Sequence, residues 1–370
     1  MKGLIIIIVI FGGSFSYAQD DSLRSKEVDE VVVSVIRKKE VAYKDSRCYI
    51  MDFQVGLTGT FILLNRFRRY YLYSLNADME PEIKMEIMFH PKSLYQDCEG
   101  FLYLMSKDSM YQFEKQEDEL VIIKRYPRSK YELYFKNCLA NNSEALMFKS
   151  MGNNNQTTQF YQKGKFDWVL NDVYRIEDSS LIRSVKDTQK EILKEEDRLR
   201  RNYARNEQNK APTWENQTLE GLPQPDMIRE VRNHLNRRQF YSEFVVRPYY
   251  NPLFVKDDTT YIFDHVNACL VRLDNRRQEL DRVEISYHQE RKWKGEMHLD
   301  AGSQLFYTVQ EVHGAQIFGL LSMDSVNIRR RTKITRHAYP EKVIIFKGFA
   351  YYIYRQNVDD NLNKLFRQRL

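Results

Sequence analysis

Two short stretches of the chain set an imidazole beside a carboxylate: Asp264-His265, and His298 two residues before Asp300. An acid that orients a histidine is the working unit of general-base catalysis, and the same pair can offer two ligands to a metal ion. Either chemistry needs a third group converging from elsewhere, and none is adjacent in sequence. Turn and strand-end roles are therefore expected for both pairs. The chain has no GxSxG elbow, HExxH helix, Walker A loop or GxGxxG turn, and no two of its seven histidines stand four residues apart. No catalytic residue, metal site or cofactor is assigned. Of the three tryptophans, Trp168 and Trp293 fall in strand patterns where packing explains them. Trp214 sits in a Pro-flanked linker and is the best candidate for an exposed platform that stacks a sugar.

Composition narrows the class of partner. The 370 residues are 42% apolar and 29% charged, enough to bury a large core. With 14 Gly and 9 Pro the chain is neither collagen-like nor low-complexity. Its 57 basic and 51 acidic residues are interleaved, and Arg329-Arg330-Arg331 is the only run of three arginines. A nucleic-acid binder would gather its basic residues on one face, so no nucleic-acid partner is expected.

The first 18 residues read as a secretory signal: Met1-Lys2, eight unbroken apolar residues from Leu4 to Phe11, then small residues ending in Ser16-Tyr17-Ala18. Eight apolar residues fall far short of the roughly 20 that span a bilayer. Residues 19–370 are expected to be exported and not membrane-spanning. Export permits disulfides among Cys48, Cys98, Cys138 and Cys269, which allow three complete pairings and show no CxxC spacing.

The elements that must position any site come from a repeat. A short aromatic strand recurs at Phe61, Phe101, Ala145, Thr260, Leu305 and Phe349, at intervals of 40, 44, 115, 45 and 44 residues. Each is followed by a polar turn and a second alternating strand. Apart from the third interval, this is the spacing of four-stranded propeller blades. The fold class expected is all-β, a six-bladed β-propeller.

The long interval is one repeat plus about 70 residues, a helical insertion at 180–241 between blades 3 and 4. From Ser180 to Glu207 there is no Gly or Pro, and Ile182, Val185, Ile192, Leu199 and Tyr203 recur at helical spacing. Asp226 reads as the N-cap of a second helix through Met227, Val231 and Leu235.

The last unit has three strands and then the chain ends, while Val31 to Ile36 is a β-branched strand without a local partner. An unlatched ring exposes sheet edges, so Val31 to Ile36 is expected to close the last blade as its fourth strand. If one disulfide forms, it is expected to be Cys98–Cys138, because both cysteines follow the first strand of consecutive blades. The opposing expectation is that inner strands stand too far apart for the Cα separation of about 4.4–6.8 Å that a disulfide needs.

With signal, repeat and insertion in view, the chain resembles a family of exported six-bladed β-propeller-like proteins of Bacteroidota. The stretches that carry the resemblance are Lys92-Ser93-Leu94 with Asp97-Cys98, Asp108 to Gln112, Pro252 to Val255, Tyr261 to His265, and Pro340-Glu341-Lys342. They mark blades and not chemistry. The resemblance implies a Gram-negative periplasm or outer surface. Separately, Asp29-Glu30-Val31-Val32-Val33 looks like a segment near the start of many TonB-dependent receptors, which would make it a strand offered to a periplasmic partner. The closing-strand role is preferred.

Function is expected in the loops of a rigid ring: a non-enzymatic binding or scaffold propeller of the cell envelope with a protein or glycan partner. The rival is an exported hydrolase or lyase acting on glycans or peptides from one face. Loops between second and third strands share a face with the links from each fourth strand to the next blade, and the insertion is one such link. The candidate binding face is therefore Arg68, Arg69, Asn153, Asn154, Asp264, His265, Glu311 and Arg355, with Trp214 on the insertion. Ile182, Val185, Ile192, Met227 and Val231 are expected to pack on one another or on that face.

Overall fold

A strand covered on both faces reads as a continuous apolar run, because every side chain meets another sheet. Phe61-Ile62-Leu63-Leu64 and Leu102-Tyr103-Leu104-Met105 are such runs, and all eight residues are buried. The computed structural model describes residues 40–45, 47–152, 157–165, 169–208, 249–334, 337–355 and 362–370. All of these belong to the compact unit that runs from Ile36 to Leu370.

Six four-stranded antiparallel sheets succeed one another along the chain. Blade 1 is β2 (Tyr49–Gly56), β3 (Gly59–Arg66), β4 (Arg69–Leu75) and β5 (Pro81–Ile87). Blade 2 is β6 (Ser93–Gln96), β7 (Leu102–Met105), β8 (Ser109–Gln116) and β9 (Glu119–Pro127). Blade 3 is β10 (Cys138–Asn141), β11 (Ala145–Gly152), β12 (Thr157–Gly164) and β13 (Leu170–Glu177). Blade 4 is β14 (Leu253–Lys256), β15 (Thr259–Asp264), β16 (Cys269–Leu273) and β17 (Glu279–Glu284). Blade 5 is β18 (Trp293–Asp300), β19 (Leu305–Val312), β20 (Ala315–Leu321) and β21 (Ile328–Lys333). Blade 6 is β22 (Glu341–Phe346), β23 (Phe349–Tyr354), β24 (Lys364–Arg369) and, from the other end of the chain, β1 (Glu40–Tyr43). The repeat anchors read from sequence fall on, or one residue before, the second strand of every blade.

An apolar cluster fills each junction, so the blades close into a ring. Phe61, Leu63 and Leu72 meet Leu94, Leu104 and Phe113 between blades 1 and 2. Met147 and Phe160 meet Ile262 and Val271 between blades 3 and 4. Phe263 and Leu270 meet Met297 and Phe306 between blades 4 and 5. Val309 and Phe318 meet Ile345, Tyr352 and Phe366 between blades 5 and 6. Tyr351, Ile353 and Leu365 meet Ile50, Phe53 and Leu64 across the closure. Removing one of these phenylalanines would cost about 3–5 kcal/mol.

The junction between blades 2 and 3 differs. Its cluster is Tyr103, Met105, Met110 and Phe135, with Tyr131 and Tyr134 against it. The last three come from the link that holds α1 (Arg128–Leu133) and a 3₁₀ turn at Phe135–Asn137. Here Cys98 and Cys138 are bonded, with a Cα separation of 5.7 Å. The expected pair forms, although its geometric reason holds for Cys98 alone, because Cys138 opens the inner strand of blade 3 and does not follow it. Cys48 and Cys269 are free and buried.

Carboxylates tie blades together where apolar contact gives way to turns. Asp52 accepts the Leu94 N–H of blade 2 at 2.7 Å and pairs with Lys342 of blade 6 at 2.7 Å, so it holds three successive blades. Asp300 ends the first strand of blade 5 and accepts from Gly302 and Ser303 in its own turn. It also accepts the backbone N–H groups of Lys347 and Gly348 in the first hairpin of blade 6. Burial alone would raise the Asp300 carboxyl, but the Ser303 hydroxyl and these backbone donors outweigh it and hold it below the usual carboxylate range.

The closing strand is where the structure departs from the sequence reading. The fourth place in blade 6 is filled by Glu40–Tyr43, paired Glu40 to Arg367, Val41 to Phe366 and Tyr43 to Leu365. Val31 to Ile36 lies outside the described residues. Tyr43 hands the chain to β2 through residues 44–48, the same length of link that joins β5 to β6 through residues 88–92. A latch at Val31 to Ile36 would have left a much longer link. In the insertion, α2 spans Ser179–Gln208 and coincides with the helix expected from sequence. Ile182 and Ile192 on it are half-buried. The second helix expected from Asp226, with Met227 and Val231, lies outside the described residues, as does the side chain of Val185.

Candidate functional site

Alternating strand direction puts the loops between second and third strands at one end of every blade, together with the links to the next blade. Phe67 and Arg68 form the tight turn between β3 and β4, both left-handed (φ 48° and 65°), as a two-residue hairpin turn that follows sheet twist requires. Phe67, Arg68 and Arg69 are all exposed, and Arg69 stands 4.0 Å from Glu86. In blade 5 the turn is His313-Gly314, and Tyr339 of the following link folds its ring over it. A Cβ at Gly314 would lie 2.5 Å from that ring, so only glycine fits. Glu311 pairs with Lys294 at 3.5 Å, and Arg355 donates to the Asn363 side chain at 3.4 Å. Asn153, Asn154 and Trp214 lie outside the described residues.

Asp264 and His265 occupy this end of blade 4 but are turned into the fold. Asp264 is fully buried and accepts from the Val266 and Asn267 backbone, the Asn267 amide and the Tyr174 hydroxyl of blade 3. His265 stands between the rings of Tyr250, Tyr287, His288 and Trp293. Its Nδ1 faces the Tyr250 carbonyl, which can only accept, so Nδ1 carries the proton. Nε2 then accepts from the Tyr287 hydroxyl at 2.8 Å. Burial pushes the His265 imidazole down to about 4. Both residues therefore belong to the framework and not to the binding face: Asp264 closes its own turn and reaches Tyr174 of blade 3, and His265 clamps Tyr250 and Asn251, where the chain returns from the insertion. Asn251 joins the same clamp by accepting the His265 N–H and donating to Thr158. His298 contacts Glu296 at 3.1 Å, while Asp300 closes its turn. Asp264 and Asp300 are both held by their own turns, so neither carboxylate orients the histidine beside it in sequence.

The same end of the ring presents apolar tips. Phe67 and Met88 of blade 1, Leu133 of α1 and Tyr339 before blade 6 are each 70–88% exposed. Only Leu57, at the opposite end of blade 1, is comparably exposed among the described large apolar side chains. Apolar loop tips left in water carry a hydration cost that a covering partner removes.

A cleft of about 760 Å³ lies beside the closing strand, lined by Tyr43, Lys44, Asp45, Arg47, Pro81, Leu362 and Lys364. Sequence reading missed it because the latch was placed too early. The five-residue link between blades 1 and 2 was the signal that could have located it. Among the described residues no three His, Cys, Asp or Glu side chains converge as a metal site would require. No helix among them is long and apolar enough to cross a membrane.

No family model and no curated protein matches the chain. Among solved structures it is similar to virginiamycin B lyase from Staphylococcus aureus, in a catalytically inactive form with quinupristin: 9% identity, 90% of this chain and 98% of that one, TM-score 0.34. It is also similar to the calcium-binding protein regucalcin from Agrobacterium tumefaciens: 12% identity, 90% and 93% covered, TM-score 0.38. A third is Sqt1 from Saccharomyces cerevisiae: 8% identity, 84% and 81% covered, TM-score 0.32. These neighbours are β-propellers, and the likeness carries no activity to this chain.

Proposed function

We propose that the chain is an exported, non-enzymatic binding or scaffold propeller of a Gram-negative cell envelope, in the periplasm or on the outer surface. Recognition lies on the end of the ring that carries Phe67, Met88, Leu133 and Tyr339. The observation that carries this reading is the gathering of those four exposed apolar tips, from three different parts of the ring, at the end from which the insertion departs. A rigid ring holds such tips in fixed relation, which lowers the ordering cost of binding. The engagement of Asp264, His265 and Asp300 by the fold supports a binding role over a catalytic one. The partner is a protein or glycan of the envelope.

The test is capture from envelope extracts with the tagged chain and with a variant carrying serine at all four tips. The reading expects defined partners lost in the variant, which should fold normally. Equal capture by both would reject the face, and recovery of the chain only from the cytoplasm would reject the compartment. The alternative, a hydrolase or lyase acting on glycans or peptides, draws support from the 760 Å³ cleft, whose size suits a small ligand. Turnover of envelope glycans or peptides that is lost in Arg47→Ala would favour it.

A further inference from the structure

We propose that the cleft beside the closing strand binds a phosphate monoester, with the phosphate held by Lys44, Arg47 and Lys364 and an apolar body laid between Pro81 and Leu362. The cleft holds about 760 Å³, within the range of small-molecule sites. Its walls come from three parts of the chain: Tyr43 to Arg47 at the end of β1 and on the link into β2, Pro81 at the start of β5, and Leu362 and Lys364 at the start of β24. The site therefore straddles the seam at which blade 6 meets blade 1.

Charge decides the class of ligand. Three cations line the cleft against one carboxylate, Asp45, which leaves two positive charges. Asp45 is already engaged within its own loop. It accepts the Arg47 backbone N–H at 2.8 Å, and Arg47 Nε stands 3.7 Å from the same oxygen. Burial opposes the charge on this carboxyl, but the Arg47 backbone donor, the Cys48 thiol and the Arg47 and Arg66 guanidiniums outweigh burial and hold it below its usual range. Arg47 meets Asp45 through its Nε edge, so the terminal fork of the guanidinium is the part that can grip a ligand. Such a fork binds two oxygens of a phosphate at once, and the lysine ammoniums add point charges. A phosphate monoester carries about −1.5 to −2 charge at pH 7 and matches the site, whereas a single carboxylate leaves one cation uncompensated.

Neighbouring acids orient the ligand. Asp78 and Glu80 line a smaller hollow of about 440 Å³ that shares Tyr43, Lys44 and Pro81 with the cleft. Repulsion turns a phosphate away from that side and towards Arg47 and Lys364. Pro81 and half-buried Leu362 remain as the apolar walls. None of these residues is one of the exposed tips Phe67, Met88, Leu133 and Tyr339, so the site stands or falls apart from recognition at those tips. A ligand here touches blade 6, the closing strand and blade 1 together, and its binding stabilises the closed ring.

The test is isothermal titration calorimetry of the chain from Gln19 onward with phenyl phosphate, at physiological ionic strength. One site is expected, with benzoate bound at least about tenfold more weakly. Lys44→Glu/Arg47→Glu should weaken phenyl phosphate by about tenfold or more, through the loss of charge-assisted hydrogen bonds. Arg276→Glu/Arg277→Glu, the same charge change on an exposed turn of blade 4, should leave it unchanged. Phenyl phosphate should also raise the urea midpoint of the unaltered chain and not that of the Lys44/Arg47 variant, whose own cooperative transition shows that it folds. Phosphatidylcholine vesicles with and without phosphatidic acid separate two sources of the group. No sedimentation with either assigns a soluble ligand, and sedimentation that needs phosphatidic acid and is lost in the Lys44/Arg47 variant assigns a lipid headgroup. Equal affinity for benzoate, no binding at physiological ionic strength, or an equal loss in the blade 4 variant would overturn the site, since each marks a diffuse basic surface. So would an about tenfold gain in affinity on Asp359→Asn/Asp360→Asn, two acids outside the described residues, because the chain's own carboxylates would then be the occupants.

Discussion

The junction between blades 2 and 3 and the junction between blades 6 and 1 face opposite problems. Between blades 2 and 3 the chain runs straight through, yet the buried cluster among the described residues is only four side chains, Tyr103, Met105 and Met110 of blade 2 with Phe135 of the intervening link. Between blades 6 and 1 the two ends of the ring must find each other, and the buried cluster there is the largest among the described residues, thirteen side chains. The thin junction carries the disulfide. The closure carries none and relies on the β1–β24 ladder, the Asp52–Lys342 pair and a bond from Asn363 to the Ile50 carbonyl. A covalent link is thus spent where apolar burial is least, and the seam between the chain ends is held by area.

That contrast predicts a ranking. Deleting Glu40–Tyr43 should have the largest effect, about 5 kcal/mol or more, because it strips β24 of its neighbour and takes Tyr43 out of the closure core. Urea denaturation measures it. Deleting Val28–Ile36 should leave the midpoint unchanged. Equal losses from the two deletions would break the comparison.

Replacing Cys98 and Cys138 by alanine should come next, at about 4 kcal/mol for a loop of 40 residues in the chain-entropy account. The same loss should follow from a reductant and be absent from the alanine variant. A loss below about 1 kcal/mol would mean that the aromatic link holds this junction unaided.

The junction between blades 4 and 5 supplies a pH-dependent case. His265 is neutral in the fold, with its imidazole at about 4 against an ordinary value near 6.5. The unfolded chain therefore binds the proton first, and stability falls as pH drops from 6.5 towards 4, by about 3 kcal/mol over that window. His265→Phe should flatten this part of the stability–pH curve and leave the slope elsewhere alone. An unchanged slope would show that the histidine is protonated in the fold.

Asp52→Ala should cost about 2 kcal/mol, because it leaves the Leu94 N–H and Lys342 without their acceptor. Lys342→Met in the same background should add little, since the pair is already broken. Smallest of all, Phe67→Ser and Tyr339→Ser should each move stability by less than about 0.5 kcal/mol while weakening capture of partners.

The repeat was legible because a propeller buries its second strands on both faces, which forces aromatic and aliphatic runs such as Phe61 to Leu64 into register. The helix from Ser179 to Gln208 was legible for the complementary reason, an unbroken helical period without Gly or Pro. The latch was misplaced because β-propensity pointed to Val31 to Ile36, whereas the strand that pairs with β24 is Glu40–Tyr43, a short link before the first inner strand. Glu40–Tyr43 has little propensity of its own and is a strand because β24 offers it an edge. Asp264 and His265 were placed at the correct end of their blade, but position along a strand says nothing of burial. Tyr250 and Trp293 cover His265, and Tyr174 of blade 3 reaches Asp264.

The closure is tested most directly by cross-linking. In a background with Cys48→Ala and Cys269→Ala, Glu40→Cys/Arg367→Cys should form a second disulfide in the native state, because those two residues are paired in the β1–β24 ladder. Val33→Cys/Arg367→Cys should form none. Peptide mapping that finds the Val33 cross-link in place of the Glu40 one would contradict the account and return the latch to the valine-rich strand.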